Sequence, residues 1–512
     1  MKPIAAFSIL IAVLSSAAMA AERAALADAA EQGNKALIRT LLDGHADVNA
    51  AQVDGTTALH WAVYRDDVET ARLLVRSGAK VNAVNRYGVP PLSLACTNGN
   101  PDLVALLLSA GADANASLPG GETVLMTAAR TGNLDSVRAL LAKGANPNAK
   151  ERNEQTALMW AAAEGHTAIA QALIASGADI HAALASGFTP VFFAVREGHI
   201  DVTRALLDAG IDVNETLQGP DGPHKESNNA SYKPVPKGTS PLLMAVQNGH
   251  YELAVALVDA GADPNDRRTG FTPLHTLTWV RKPDASDDGD PSPIGSGRLT
   301  SLEFVRVLVK SGADVNARLA RGTPRPPNTA SRVGTGGATP FLMAADRADA
   351  ALMRVLLELG ADPFLPNLDN TTPLMAAAGL GTSAPLEEAG TEPEAFEAVR
   401  LLLDLGADID AVNSDGDSAM HGAAFGTFPT IVQLLADRGA NADIWTRPDK
   451  QGRTPLFIAE GYRGGPLRPS RPTLDAITRL MIAKGLSLEG QRPLGVVRDT
   501  YEKPAPVPPK KQ

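Results

Sequence analysis

The residues with the widest chemical reach in this 512-residue chain are nine histidines, one cysteine, an Arg-rich stretch and an Asp-rich one. Ser77-Gly78-Ala79-Lys80 has the Ser-x-x-Lys spacing of an acylating serine, but no Lys-Thr-Gly partner follows it. Neither a Gly-x-Ser-x-Gly elbow, nor a phosphate loop, nor a His-Glu-x-x-His helix occurs. Asp284, Ser286, Asp288, Gly289 and Asp290 follow the order of a calcium loop, yet its twelfth position is Gly295 rather than the bidentate Glu such a loop needs. Residues 318–336 carry Arg318, Arg321, Arg325 and Arg332 and no acid, a composition that suits an anionic partner or surface as well as a solvated Pro/Gly loop. No histidine has a Cys or carboxylate at metal-ligand spacing, so neither a metal nor a cofactor is expected, and no catalytic residue is assigned.

Most histidines recur at a fixed period, which turns attention to the elements beneath them. His60, His275 and His421 are fourth in a Thr/Ser-led tetrapeptide, while His166, His199 and His250 each follow a glycine. That tetrapeptide restarts every 33 residues at Thr57, Pro90, Thr123, Thr156 and Thr189, then at Ser240, Thr272, Thr339, Thr372, Ser418 and Thr454. Gly121 to Lys150 is the plainest copy. The hydroxyl caps a first helix, a following Pro has the preset φ of a helix start, and small pairs such as Ala128-Ala129 let neighbouring helices approach. A glycine then breaks the chain before a second helix whose apolar positions, for example Val137, Leu140 and Leu141, recur at helical spacing. Asp-x-Asn turns such as Asp113-Ala114-Asn115 lead into the next copy. One such unit cannot bury its apolar face alone, so copies must stack.

This 33-residue unit, with Thr272-Pro273-Leu274-His275 unaltered, resembles the ankyrin repeat, a period and signature tabulated for that family. The resemblance is to an exported, bacterial-type, multi-repeat member. It implies an all-α solenoid of about eleven helix-turn-helix repeats with hairpin loops, plus an N-terminal half-repeat at residues 22–50. It also implies that partners lie along a concave face formed by hairpin tips and by the two positions after the Ala-Ala pair. Those positions are Tyr64 and Arg65, Thr97 and Asn98, Arg130 and Thr131, Ala163 and Glu164, Arg196 and Glu197, and Gln247 and Asn248. Arg86, Tyr87 and Phe188 lie at the tips. Trp61 and Trp160, one place past the tetrapeptide, read as inter-repeat core, and Cys96 as a small buried residue in an Ala-Ala slot.

Regular repeats fill residues 21–217, and repeats with long inserts fill 218–489. Inserts 218–237 and 318–336 lengthen hairpin loops, whereas 281–297, 380–393 and 463–471 separate the helices of a pair. By chain position the two classes decorate two different edges. Residues 490–512, ending in a Pro/Lys tail, read as disordered. At the other end, Lys2, the apolar residues 4–14 and Ala18-Met19-Ala20 have the layout of a cleaved signal peptide, so export to the periplasm or outside is expected. No later stretch is apolar enough to span a bilayer. A net charge of −10 argues against nucleic acid, which needs a basic face. These features predict a monomeric, non-catalytic scaffold that binds another protein through its concave face and inserted loops. One alternative is an envelope protein holding an anionic polymer through 318–336; another is an enzyme with a site built from the inserts.

Overall fold

The computed structural model describes residues 24–219, 236–284, 292–326, 329–383, 385, 388–462 and 469–488. The proposed leader, most of insert 218–237, Asp287, Asp288 and Asp290 of the acidic insert, most of insert 463–471 and the tail lie outside these residues. The chain divides into two compact units, residues 1–228 with 234–245, and residues 229–233 with 246–512. Among the described residues there are twelve helix pairs, one single-turn helix (Ala442–Trp445) and no β-strand.

In the first unit the pairs are Ala25–Glu31 with Lys35–Asp43, Ala58–Tyr64 with Val68–Arg76, and Pro91–Asn98 with Pro101–Ser109. Val124–Thr131 with Leu134–Ala142, Ala157–Ala163 with Thr167–Ala175, and Pro190–Glu197 with Ile200–Asp208 follow. The expected half-repeat is therefore a complete helix pair. It lacks only the hydroxyl cap, because Ala24 stands there and makes no side-chain bond. His45, in the slot where later repeats have Gly, takes the left-handed conformation at φ 59°.

Most first helices start as the pattern predicts, Ala24, Pro90 and Thr189 being caps without a side-chain bond to the helix. Thr123 Oγ1 accepts from the Met126 amide at 3.2 Å, satisfying one of the donors a helix N-terminus leaves unpaired. Where the fourth residue is histidine, the ring adds a second bridge. His60 Nδ1 accepts from the Thr57 amide at 3.2 Å while Nε2 lies 3.0 Å from the Val89 carbonyl of the next repeat. Burial depresses the basicity of His60, and more strongly that of His275, held down to about 4. His166 and His199 have another task, their Nε2 atoms reaching the Arg130 and Ala163 carbonyls at 3.2 and 2.9 Å to cap the first helix of the preceding repeat.

Packing repeats with the same period. Leu74, Leu107, Leu140, Leu173 and Leu206, 33 residues apart, are each fully buried, and each such side chain contributes roughly 2 kcal/mol of apolar burial. Alanines at 95, 128, 129, 161 and 162 are also fully buried. Cys96 fills one of these slots, and burial pushes its thiol up to about 12. The turn asparagines tie the stack along one edge. Asn115 Nδ2 donates to the Gly144 carbonyl at 3.0 Å and its Oδ1 accepts from the Asn146 amide at 2.8 Å. Asn49, Asn82 and Asn148 repeat this rung in the first unit, as do Asn265 and Asn316 in the second.

The helix Pro241–Gln247 straddles the division between the units. The second unit continues with Tyr251–Asp259, Pro273–Arg281 with Ser301–Lys310, Pro340–Asp346 with Ala350–Glu358, and Pro373–Ala377 with Glu392–Asp404. Ala419–Gly426 with Pro429–Asp437 and Pro455–Ala459 with Arg471–Ala483 complete it. A local cluster of Phe271, Trp279, Val280, Leu319, Leu342 and Met343, with Val333 packed on it, brings the 318–336 insert into the core.

Candidate functional site

The predicted contact positions split into two kinds. At the first position after the Ala pair, Tyr64, Thr97, Arg130 and Arg196 are exposed on successive packed helices, with the smaller Ala163 between them. Three carry or meet an aromatic surface. Tyr64 is 60% exposed and stands edge-on to Trp61 at 5.7 Å. Arg130 lies 5.6 Å over the Trp160 ring, and Arg196 lies 5.7 and 5.3 Å over Phe188 and Phe193. Such stacking holds a guanidinium in place at the surface, where Arg130 also bonds Glu122 at 3.3 Å. Trp61 and Trp160 are half-buried supports for this row, and Trp61 Nε1 donates to Gln52 at 2.8 Å.

The second positions serve mostly as mortar. Arg65 Nε donates to the Glu31 carbonyl at 2.7 Å, Asn98 Nδ2 to the Val63 and Tyr64 carbonyls at 2.9 and 3.2 Å, and Thr131 Oγ1 to the Cys96 carbonyl at 3.0 Å. These three satisfy helix-end carbonyls of the preceding repeat, so they belong to the frame. Glu164 is exposed, and Glu197 pairs with Arg196 at 2.8 Å. Gln247 and Asn248 are half-buried. At the tips, Tyr87 is 59% exposed with Arg86 5.1 Å over its ring, while Phe188 is half-buried against Phe192 and Phe193.

In the second unit the inserts do not keep to two edges. Asp284 from one insert, residues 329–332 from another and residues 381–383 from a third meet around Arg347. Its guanidinium bonds Asp284 Oδ1 at 3.1 Å and also reaches the Lys282 carbonyl and Thr329 Oγ1. The Ala330 amide donates to Asp284 Oδ2 at 2.6 Å, the Arg332 amide to the Gly381 carbonyl at 2.9 Å, and Ser383 Oγ to the Ala330 carbonyl at 3.1 Å. Arg347 and Asp284 are 2% and 7% exposed, so this is a buried ion pair. Next to it, Asp346 accepts from Ser331 Oγ at 2.9 Å, and burial raises its carboxyl to about 7 although Arg347 opposes the shift.

This corrects the expectation that the two insert classes decorate separate edges. The insert classes converge on each other, and Asp284 is spent on an internal cation rather than offered to calcium. Gly295, in the place of a closing Glu, is a packing residue, since a Cβ there would overlap the Gly249 carbonyl. Among the described residues no group of three or more His, Cys, Asp or Glu is placed to hold a metal ion, and no helix is long and apolar enough to cross a membrane. Of the four insert arginines, Arg318 donates to the Pro366 carbonyl at 2.6 Å, whereas Arg321, Arg325 and Arg332 are exposed.

Sequence reasoning missed Asp417. It is 6% exposed, its Oδ1 finds no donor, and burial raises its carboxyl to about 6. The available signal was a carboxylate at a half-core position, directly before the Ser418 cap, where neighbouring copies carry Thr371, Ala338 or Gln155.

Comparison with known proteins places these features in a family. A model of ankyrin repeats in three copies matches residues 26–117, 92–184, 125–216 and 386–464, and a single-repeat model matches 237–268. The human ankyrin repeat domain-containing protein 63 is 33% identical over 257 residues, 47% of this chain and 56% of its own. The human ankyrin repeat and SOCS box protein 16 is 32% identical over 240 residues, 44% of this chain and 48% of its own. The Arabidopsis thaliana E3 ubiquitin-protein ligase KEG is 28% identical over 216 residues, 37% of this chain and 12% of its own. The chain thus spans about half the length of the two human relatives. All three are eukaryotic and give no support to the exported, bacterial-type qualifier, which rests on residues 1–20 alone.

Proposed function

The chain belongs to the ankyrin-repeat family, and from that premise we propose that it is a non-catalytic protein-interaction scaffold whose partner docks on the first-helix row of the first unit. The observation that carries this reading is the composition of the row. Tyr64, Arg130 over Trp160, and Arg196 over Phe188 and Phe193 stand in one register on a frame of packed helix pairs. Trp, Tyr and Arg are the residue types that dominate interface hot spots, and a preorganised frame lowers the ordering cost of binding. Tyr87 and Arg86 extend the same chemistry to a hairpin tip.

The test is capture by the immobilised full chain, repeated with Tyr64→Ala, Arg130→Ala and Arg196→Ala. Each substitution removes a side chain at the surface and leaves the buried core intact, so folding is retained while partner affinity drops by about tenfold per residue. Asn98→Ala and Thr131→Ala are the contrast, lowering thermal stability with little direct loss of contact. Undiminished capture by the Tyr64/Arg130/Arg196 variant would sink this surface.

Export is the second part of the proposal, supported by the positive, apolar and small-residue order of residues 1–20. On this reading the protein purified from its native source begins at Ala21. N-terminal sequencing that returns Met1 would contradict it.

A further inference from the structure

The second unit holds a cavity of about 260 Å³ between insert residues 332–334, the 380–382 turn and the hairpins that precede the last three helix pairs. Asp417, Asp369, Asp415, Arg332, Arg453 and Phe425 are among its walls. The charges are unevenly committed. Arg453 binds Asp449 through Nε and Nη2, each at 2.7 Å, and its guanidinium covers the Phe425 ring at 5.0 Å. Asp415 lies 3.6 Å from Lys450. Arg332 and Asp369 are exposed, whereas Asp417 is a carboxylate nine-tenths buried with one oxygen unmatched.

Comparison between copies of the repeat shows why. Glu122 holds the same position in the fourth helix pair, directly before its capping Thr123. There it accepts from Thr127 Oγ1 at 2.9 Å and from Arg130 at 3.3 Å, so its charge is answered inside its own repeat. The residues corresponding to Thr127 and Arg130 are Gly422 and Phe425, neither of which has a side-chain donor. Gly422 has no freedom to change, because a Cβ there would press on the Leu380 amide and the Met375 carbonyl at 2.9 Å. The fold itself asks for no acid at this slot, since other copies place Thr371, Ala338, Gln155 or Arg453 there. Asn413 Oδ1 accepts from the Asp415 and Asp417 amides, both at 2.9 Å, and so fixes the loop that holds the unmatched oxygen at the cavity wall. A buried carboxylate with one oxygen unmatched is costly even with the Asn413 side chain and the Arg453 charge nearby, and a donor carrying positive charge removes that cost.

We propose that this cavity binds the guanidinium or ammonium group of an organic cation, with Asp417 as its buried anionic anchor. The volume suits a group of side-chain size. Counting Asp369, Asp415, Asp417 and Asp449 against Arg332, Lys450 and Arg453, the local balance is four carboxylates to three cations, which favours a cation over an anion. The ligand's positive group donates to Asp417 Oδ1, while its remaining donors face Asp369 and Asp415 at the rim. Binding is accordingly linked to pH. Asp417 must be ionised to hold the cation, and it titrates among Asp449, Asp415 and Asp369, the Arg453 and Arg332 guanidinium groups, and His421, which burial keeps neutral. The site lies wholly within the second unit and does not depend on the docking row of the first.

The same group occurs on a free diamine-like metabolite and on a basic side chain of a partner, and calorimetry on the full chain separates the two. Agmatine and acetyl-arginine amide are titrated at pH 7.5, with glutarate as the anionic control. At least one of the cations binds with a dissociation constant of about 1 mM or tighter, glutarate does not, and Asp417→Asn weakens binding by about tenfold or more. Equal affinities point to the free cation as the source, and a tighter amide points to a side chain. Repeating the titration at pH 5 weakens binding to the wild-type chain more than to Asp417→Asn. A circular dichroism melt establishes that the variant is folded. No binding of either cation, glutarate binding as well as they do, or an unchanged affinity in Asp417→Asn would each overturn the site.

Discussion

At the scale of single residues, the repeat makes departures legible, because every slot has ten or more natural comparisons within one chain. Asp417 is the clearest. A carboxyl whose protonation is favoured by burial holds its extra proton in the folded state between the ordinary Asp value of 3.8 and about 6. The folded state binds more protons than the unfolded one in that window, so this group's contribution to stability falls as pH rises through it and then stays low. Asp417→Asn is therefore expected to stabilise the chain by about 2–3 kcal/mol at pH 8, with the gain shrinking to nothing near pH 3.5. Urea unfolding at a series of pH values measures it; a destabilised variant at pH 8 would show that the carboxylate is paired after all. The slot of Cys96 was readable from the sequence, since Ala occupies it elsewhere. The work of Asn98 and Thr131 was not. Both look like free polar residues until the carbonyls of the preceding helix are located, and those lie 34 or 35 residues away.

Elements were legible where spacing alone decides them. Thr-led caps, glycine breaks and apolar stripes gave the helix pairs, because each signal acts within a few residues. The inserts escaped that logic. Chain position assigned them to two edges, but the Arg347–Asp284 pair spans 63 residues and Ser383 reaches back 53 to Ala330. Neither contact has a sequence period to announce it. Breaking this junction has a definite cost. Arg347→Met removes the cation that faces Asp284 and adjoins Asp346, leaving buried carboxylates unanswered, and is expected to destabilise the second unit by about 3 kcal/mol. Adding Asp284→Asn recovers part of that loss. Chemical denaturation of the single and double variants checks the pair, and an additive double variant would show that the two residues do not cooperate. The same tethering explains why the Arg-rich stretch is more than a solvated loop, since Leu319 is 5% exposed and sits in an apolar cluster.

For the whole molecule, the fold is carried by local repetition and the function by what the repetition leaves free. In the first unit that residue is a row of Tyr64, Arg130 and Arg196 backed by aromatic rings, whose neighbours Arg65, Asn98 and Thr131 are consumed in holding the stack. The most direct measurement of the central claim is site-specific photocrosslinking in the cells that make the protein. A photoreactive amino acid is placed at Tyr64 or Tyr87, and for contrast at Lys143, which lies just beyond the second helix Leu134–Ala142. The account predicts one shared adduct from Tyr64 and Tyr87 that Arg130→Ala with Arg196→Ala abolishes, and none from Lys143. An adduct that forms equally from Lys143, or that persists in the double variant, would contradict it.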